Sequence, residues 1–265
     1  MTRLSAEGVT VAINGRQILH GIDFDIEGGG LVGLIGPNGA GKSTLIRAVA
    51  HLQRPMGGRV AIDGHDIAAM PRKDLARRIA YLPQGHVVHW PLDVRHLVAL
   101  GRLPHLSPMS KISPQDEDAI LRALERADVV RFADRTVTTL SGGERARVML
   151  ARALAVETPI LLVDEPVASL DPFHQLQVME LLRGIAEEGR LVIAVLHDLP
   201  LAARFCSRLL LMENGRLVID GAPRDVLAQT HLRDAYAIEG VYGAEQGEHY
   251  VLPWRRVPGG DARPV

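Results

Sequence analysis

The sequence predicts an α/β fold, with a mainly parallel sheet, an antiparallel β part and an inserted helical subdomain. Apolar runs of strand length alternate with segments of helical spacing, which is typical of a parallel sheet covered by helices. A glycine-rich loop follows one of these runs and opens a helix. From Leu92 to Val156 the apolar spacing is helical. We therefore expect a single domain, in which residues 1–84 and 157–240 form the α/β core, residues 85–156 the helical subdomain, and residues 241–265 a C-terminal extension and tail.

The N-terminal third of the chain is expected to contribute mainly strands. Polar and apolar residues alternate in the earliest runs, whereas Leu31–Ile35 is continuously apolar and predicts a buried strand. The expected elements are strands at Gly8–Ile13, Ile22–Ile26, Leu31–Ile35, Arg59–Ile62 and Ile79–Leu82, with a helix at Lys42–His51.

The rest of the chain begins with helices and then returns to alternation. Helices are expected at Leu92–Leu100, Pro114–Ala127, Gly143–Ala155 and near 172–188 and 198–206, and strands at Ile160–Val163, Leu191–Leu196, Leu209–Met212 and Arg216–Ile219. The Asn214-Gly215 pair predicts a hairpin turn between the last two strands. Residues 240–265 are rich in glycine and proline and end in PGGDARPV, which is typical of a frayed tail.

Composition excludes several classes of protein. The 265 residues carry 30 basic and 31 acidic side chains, so no bulk charge attracts the chain to nucleic acid or anionic lipid. No apolar run approaches the roughly 20 residues that cross a bilayer, and we expect no secretory signal. The one cysteine, Cys206, excludes an internal disulfide and a cysteine-based zinc cluster. These features predict a protein of a reducing compartment.

A phosphate-binding loop is predicted directly after the strand at Leu31–Ile35. The segment GPNGAGKST fits the pattern G-x-x-x-x-G-K-[ST]. Its glycines allow backbone N–H groups to surround phosphates, Lys42 is expected to reach the β- and γ-phosphates, and Ser43 to ligate Mg²⁺. The alternative is an ordinary glycine-rich turn. We predict a P-loop NTPase core whose nucleotide-binding residues are Gly36, Pro37, Asn38, Gly39, Ala40, Gly41, Lys42, Ser43 and Thr44.

Two acids end a second apolar strand, Ile160–Val163. Asp164 at the strand tip is expected to hold Mg²⁺, directly or through water. Glu165, one residue further, is expected to polarise a water for attack on the γ-phosphate. The alternative is a solvated pair at a strand end. With a phosphate-binding loop in the same chain, the pair predicts ATP hydrolysis rather than nucleotide binding alone.

A second glycine-rich helix start lies at Leu140–Glu144, LSGGE. Ser141 is a good N-cap, and the backbone N–H groups of Gly142 and Gly143 are unshielded, which makes a second anion site. The alternative is a plain N-cap. Two phosphate-type helix starts beside one phosphate-binding loop predict a symmetric dimer, in which the second site of each chain closes over the nucleotide of its partner.

Taken together, these motifs resemble those of the nucleotide-binding ATPase subunits of ABC transporters, over nearly the whole chain. The resemblance rests on an ordered set: Walker A at Gly36–Thr44, the Q-loop glutamine at Gln84, the signature at Leu140–Glu144, Walker B at Ile160–Glu165, the D-loop at Ser169–Asp171 and the switch histidine at His197. Without this resemblance, Gln84 would be interpreted as an ordinary loop glutamine, and His197 as a strand-end histidine whose hydrogen bonds are satisfied within the fold.

The resemblance implies an ABC ATPase fold, with ATP and Mg²⁺ as cofactors and a role for each matching residue. Glu165 would be the catalytic carboxylate, while His197 would sense the γ-phosphate and position the attacking water. Lys42 and Thr44 would bind phosphates, and Ser43, Gln84 and Asp164 would hold the metal. Ser141, Gly142 and Gly143 would contact the nucleotide of the partner. The family usually places an aromatic residue against adenine, and the matching position here is Ile13, so we expect an aliphatic contact.

The run ALGRLPH and the segment Val241–Pro253, a short strand pair, resemble the iron-siderophore, haem and cobalamin importers. This implies a homodimer of ATPase subunits, peripheral at the cytoplasmic face of the inner or cell membrane. It would work with an integral permease and a periplasmic or extracellular substrate-binding protein, and not with nucleic acid.

A permease helix would contact Gly85–Arg102, with Trp90 as the exposed anchor; the alternative is that these side chains are all core. Alternative functions are import of another cargo such as metal ions, or a non-transport ABC ATPase.

Overall fold

The structure is a computed structural model that describes residues 2–85, 88, 90–107 and 110–257. Its strands are β1 Arg3–Ile13, β2 Arg16–Glu27, β3 Gly30–Ile35, β4 Gly57–Ile62, β5 His65–Asp66, β6 Ile79–Leu82, β7 Ile160–Asp164, β8 Leu191–Val195, β9 Arg208–Glu213, β10 Arg216–Gly221, β11 Ile238–Glu245 and β12 Glu248–Arg256. Its α-helices are α1 Lys42–Val49, α2 Arg72–Ala76, α3 Val94–Ala99, α4 Pro114–Arg126, α5 Gly142–Leu154, α6 Pro172–Glu187, α7 Leu199–Phe205, α8 Pro223–Val226 and α9 Gln229–Tyr236.

An antiparallel sheet with the order β2-β1-β4-β5 is the antiparallel part expected from the sequence. Its first hairpin turns at Asn14 and Gly15, both with positive φ, as a tight hairpin turn requires. The first two strands are longer than the runs expected at Gly8–Ile13 and Ile22–Ile26, because β-bulges interrupt the alternation that defined those runs.

The second sheet has the order β10-β9-β3-β8-β7-β6 and carries the functional loops. Strands β9, β3, β8, β7 and β6 are parallel, and β10 pairs with β9 in the antiparallel direction. The turn between β9 and β10 lies at Asn214-Gly215, as predicted. Every residue of β7 and β8 is buried, which explains their continuous apolar runs. The α/β prediction is confirmed.

Helices α3, α4 and α5 pack on one another between β6 and β7 in the chain. A buried ion pair connects them: Arg102 Nε lies 2.9 Å from Asp116 Oδ1, and Arg102 Nη1 donates to the carbonyl of Ala155 at 2.7 Å. The division of the chain at residues 85 and 156 stays a prediction. Among the described residues, no helix combines the length and apolar character needed to cross a membrane.

The C-terminal strands β11 and β12 form a hairpin, so the strand pair expected at Val241–Pro253 is confirmed and the prediction of a frayed tail is wrong for residues 240–256. Val251 is buried, and Glu248 forms ion pairs with Arg183 on α6 and Arg204 on α7. These contacts attach the hairpin to the core. Residues 258–265, which include the predicted PGGDARPV tail, lie outside the described part of the chain.

Candidate nucleotide-binding site

The site lies at the carboxyl ends of three neighbouring strands. The phosphate-binding loop follows β3, Asp164 ends β7 and Glu165 comes directly after it. His197 follows β8, which lies between β3 and β7. Because these strands are parallel, their ends meet at one edge of the sheet. The topology therefore brings together side chains that are more than 100 residues apart in the sequence.

The loop requires glycine at its first residue. A Cβ on Gly36 would collide with the carbonyl oxygen of Met212, and its φ of 147° belongs to the region that favours glycine. Gly41 precedes α1 with a left-handed φ of 97° and makes no side-chain cap. Helix α1 thus begins with its first N–H groups uncapped by any side chain, which is the arrangement that binds phosphate.

Lys42 is buried inside the loop. Its Nζ donates to the carbonyl oxygens of Gly36 at 2.8 Å and Pro37 at 3.0 Å. Burial lowers the pKa of the ammonium, while Glu165 and Asp164 act in the opposite direction. The cation therefore lies across the loop, on two of its carbonyl oxygens.

Asp164 is the most buried acid of the site, at 1% exposure. Its Oδ1 accepts from Ser43 Oγ at 3.0 Å and its Oδ2 from the Tyr81 hydroxyl at 3.3 Å. Burial raises the pKa of this carboxyl group. Sequence reasoning missed Tyr81, although its position in β6, the edge strand beside β7, points to this place.

The three residues predicted to be catalytic form one hydrogen-bonded group. Gln84 Nε2 donates to Glu165 Oε2 at 2.6 Å, and His197 Nε2 lies 2.6 Å from Glu165 Oε1. Glu165 itself has a positive φ of 54°, which is uncommon for a residue other than glycine. Each carboxylate oxygen is thus held by a different part of the chain.

The phosphate-binding loop, Glu165 and His197 line a cleft of about 470 Å³. It is lined by Arg16, Ile18, Asn38, Gly39, Gly41, Lys42, Ser43, Thr44, Glu165 and His197. Ile18 and Arg16 come from β2 and were missed by sequence reasoning. Ile13, the position expected to contact adenine, is 40% exposed and does not line the cleft. The apolar wall is supplied by Ile18 instead.

The signature residues lie apart from this cleft, since none of Ser141, Gly142 and Gly143 lines it. They begin α5, where a capping box is closed: Ser141 Oγ accepts from the backbone N–H of Glu144 at 3.3 Å, and the Glu144 carboxylate accepts from the N–H of Ser141 at 2.8 Å. One chain therefore presents two separate glycine-rich helix starts.

The residues predicted to contact a permease differ in their exposure. Trp90 is 74% exposed, whereas Leu97 is buried. Val88 and Leu92 are partly buried against the core, so the core interpretation holds for part of this segment. Val87, which belongs to the same segment, lies outside the described residues.

Three known relatives have similar sequences. The chain is 44% identical to the cobalamin import ATP-binding protein of Halobacterium salinarum, over 91% of this chain but only 61% of that protein's length. It is 43% identical to the hemin import ATP-binding protein of Nocardia farcinica, over 95% of this chain and 89% of the relative. It is 38% identical to the ferric enterobactin transport ATP-binding protein of Escherichia coli, over 92% and 88% of the two chains.

Solved structures share the fold. A chain of a metal-chelate type ABC transporter in an inward-facing conformation superimposes with a TM-score of 0.83 at 24% identity, covering 96% of this chain and 98% of its own. An ATP-binding cassette, solved as a dimer in a post-hydrolysis state with ADP and Pi, superimposes with a TM-score of 0.72 at 28% identity, covering 83% of this chain and 99% of its own. The model of the ABC transporter family matches residues 19–168. The resemblance stated from the motifs is confirmed, and the chain belongs to the ABC transporter family.

Proposed function

We propose that the chain hydrolyses ATP as the energy-supplying subunit of an importer. The observation that carries this proposal is the Glu165 carboxylate, held between Gln84 and His197 beside the cleft that Lys42 and Ser43 line. A carboxylate in this position can accept a proton from the water that attacks the γ-phosphate. His197 orients that water and senses the γ-phosphate. The fixed partners on both carboxylate oxygens keep Glu165 in one orientation for this step.

Residues 36–44 bind the phosphates of ATP in this proposal. The start of α1 has no side-chain cap, so its N–H groups can donate to phosphate oxygens. Lys42 can exchange the loop carbonyls that it now contacts for the β- and γ-phosphates, and Thr44 contacts phosphate from the first turn of α1. Both residues line the cleft, so neither needs to change its place in the fold.

The residues around Asp164 fit Mg²⁺ as the second cofactor. Ser43, Asp164 and Gln84 provide hydroxyl, carboxylate and amide oxygens, which are hard ligands of the kind that Mg²⁺ prefers. Burial raises the pKa of Asp164, and a bound cation would offset the cost of its buried charge. Mg²⁺ held there would neutralise charge on the phosphates during transfer. The Asp164 carboxylate is already oriented for that role by Ser43 and Tyr81.

The second glycine-rich helix start requires a second copy of the chain. Ser141, Gly142 and Gly143 do not line the cleft of their own chain, so in this proposal they close over the nucleotide of a partner subunit. The family relative solved as a dimer with ADP and Pi supports a homodimer of this kind. Residues 85–156 would then form the subdomain that carries the signature to the partner.

The cargo class is proposed from the relatives, whose names give hemin import, cobalamin import and ferric enterobactin transport. We infer that this chain powers uptake of an iron chelate, either a siderophore or haem, or of cobalamin. It would act at the cytoplasmic face of the inner or cell membrane, through a separate integral permease and a periplasmic or extracellular binding protein. Trp90 is the exposed aromatic side chain that we assign to permease contact.

Glu165→Gln tests the hydrolytic role. Glutamine keeps the shape of the side chain and one acceptor oxygen but cannot accept the proton, so we expect turnover to fall by about 10²–10⁴-fold. ATP binding should stay within about twofold, because the phosphates are bound by residues 36–44. ATP should then hold the variant as a closed dimer on size exclusion. Near-normal hydrolysis by Glu165→Gln would remove Glu165 from the catalytic role.

Trp90→Ala tests the permease contact, with Trp254→Ala as its control. Trp254 is the other tryptophan of the chain and is equally exposed, at 71% against 74%, but lies on β12. Loss of an aromatic anchor at an interface costs about 2 kcal/mol or more, so cargo uptake by the reconstituted complex should fall about 30-fold or more. ATP hydrolysis by the free subunit should not change, and Trp254→Ala should preserve both activities. Equal losses of uptake and hydrolysis in Trp90→Ala would indicate a folding role.

A further inference from the structure

The starts of helices α5 and α6 are in contact through one imidazole ring. A Cβ built on Gly143 would lie 2.9 Å from Cγ, 3.0 Å from Cδ2 and 3.2 Å from Nδ1 of His174. The ring therefore packs against the backbone of the signature, at a place where only glycine fits. His174 is in the first turn of α6, directly after the D-loop Ser169–Asp171.

Asp171 holds this ring in place. As the N-cap of α6, it accepts from the backbone N–H of His174 through Oδ1 at 3.0 Å, and its Oδ2 lies 2.7 Å from His174 Nδ1. The ring of Phe173 meets that of His174 edge to face, with centroids 5.5 Å apart. One carboxylate therefore both caps the helix and fixes the imidazole that contacts Gly143.

Capping alone does not explain the position of His174. The chain contains a second Asp-x-x-His cap at the start of α3, where Asp93 Oδ1 accepts from the N–H of His96 at 2.8 Å and Oδ2 lies 2.6 Å from Nδ1. The bonds match, but the His96 side chain is 75% exposed and that of His174 only 26%. The difference in burial reflects the packing of His174 against the signature.

We propose that His174 is a positioning residue that fixes the signature backbone at Gly143 to the D-loop of the same chain. Asp171 lies only six positions after Glu165, at the end of the loop that follows this catalytic carboxylate. The His174 ring therefore connects that loop with the signature N–H groups that bind the partner's nucleotide. Groups that stabilise phosphate act only when held within a fraction of an ångström. The inference rests on the proposed function, in which Ser141, Gly142 and Gly143 bind the partner's ATP.

The test uses dimerisation of the full chain in the Glu165→Gln background, with ATP and Mg²⁺. The measured quantity is the protein concentration at half-dimerisation, from sedimentation velocity. His174→Ala should raise this concentration about tenfold or more, which corresponds to about 1.4 kcal/mol. His96→Ala, which removes the same type of cap bond, should leave it within about twofold. His174→Ala should lower the melting temperature more than His96→Ala, because the His174 ring also packs against Gly143 and Phe173. Neither substitution should change binding of a fluorescent ATP analogue by the dilute monomer.

Two replacements of His174 separate its ring from its hydrogen bond. His174→Phe keeps a flat ring beside Gly143, and we expect dimerisation within about threefold of the parent. His174→Asn keeps a donor for Asp171 without the ring and should resemble His174→Ala. Parent-like dimerisation of His174→Ala, or an equal loss in His96→Ala, would overturn the inference. If Glu165→Gln itself does not dimerise with ATP, the proposed function fails first, and the inference fails with it.

Discussion

The two glycine-rich helix starts of this chain differ in how their backbone groups are satisfied. At α1, Gly41 has a left-handed conformation and contributes no side-chain cap, and Lys42 lies across the loop on the carbonyl oxygens of Gly36 and Pro37. At α5, Ser141 is an extended N-cap, and its capping box with Glu144 is closed. The first start therefore offers N–H groups to a ligand, whereas the second is already stabilised by its own side chains.

In the proposed function, this difference explains how one chain can carry two phosphate-type sites without binding two nucleotides. A capped α5 needs no anion to be stable, so it can remain folded until a second copy brings a nucleotide to it. Gly142 supports this view, because a Cβ built there would meet nothing within 4 Å in the single chain. The fold of a single copy does not require glycine at position 142. We attribute the glycine to the nucleotide of the partner subunit, which approaches this position in the proposed dimer.

Lys42→Ala tests the uncapped start and should have a larger effect than Gly142→Ala and Ile18→Ala. Removal of the charge leaves the phosphates without their ammonium partner in a site where burial strengthens electrostatic interactions. We expect ATP affinity to fall by about 100-fold or more, equivalent to about 2.7 kcal/mol. Equilibrium binding of a fluorescent ATP analogue to the monomer is the measurement. Unchanged affinity would show that the loop binds phosphate without the lysine.

Gly142→Ala tests the capped start, with Gly184→Ala as its control. Both glycines are helical with open space around them, so alanine should raise the free energy of unfolding by up to about 1 kcal/mol at either place. Only Gly142→Ala should impair function, because its methyl group would face the partner's nucleotide. We expect ATP hydrolysis to fall by about tenfold or more while monomer ATP binding is preserved. Equal activity of the two variants would contradict the proposed role of Gly142.

The candidate site residues that form short continuous motifs could be predicted from the sequence. The loop at residues 36–44 and the acids Asp164 and Glu165 follow apolar strands directly, and the parallel sheet brings their ends together. The family resemblance added Gln84 and His197, which no local pattern distinguishes from other loop residues.

The remaining features depend on long-range packing. Tyr81 reaches the site because β6 pairs with β7, and Ile18 because β2 lies beside the phosphate-binding loop; neither placement is specified by the residue's own segment. Composition alone indicated a frayed tail for residues 240–265, whereas the family resemblance indicated the strand pair at Val241–Pro253 that β11 and β12 form. The hairpin's partners Arg183 and Arg204 lie 65 and 44 positions from Glu248 in the sequence, beyond the range of any local pattern.

The smallest expected effect is on ATP affinity, and it concerns the apolar wall of the cleft at the start of α1, where the nucleotide base would lie. Ile18 lines the cleft and Ile13 does not, although both are isoleucines of the first hairpin. Ile18→Ala would remove apolar surface from the cleft, and at about 25 cal/mol per Å² this should weaken ATP binding by a few fold. Ile13→Ala should leave affinity within about twofold, because its side chain already faces solvent. The measurement is monomer binding of the ATP analogue to both variants. If Ile13→Ala weakens binding and Ile18→Ala does not, the family position assigned from the sequence contacts the base, and the cleft wall on β2 has no part in recognition.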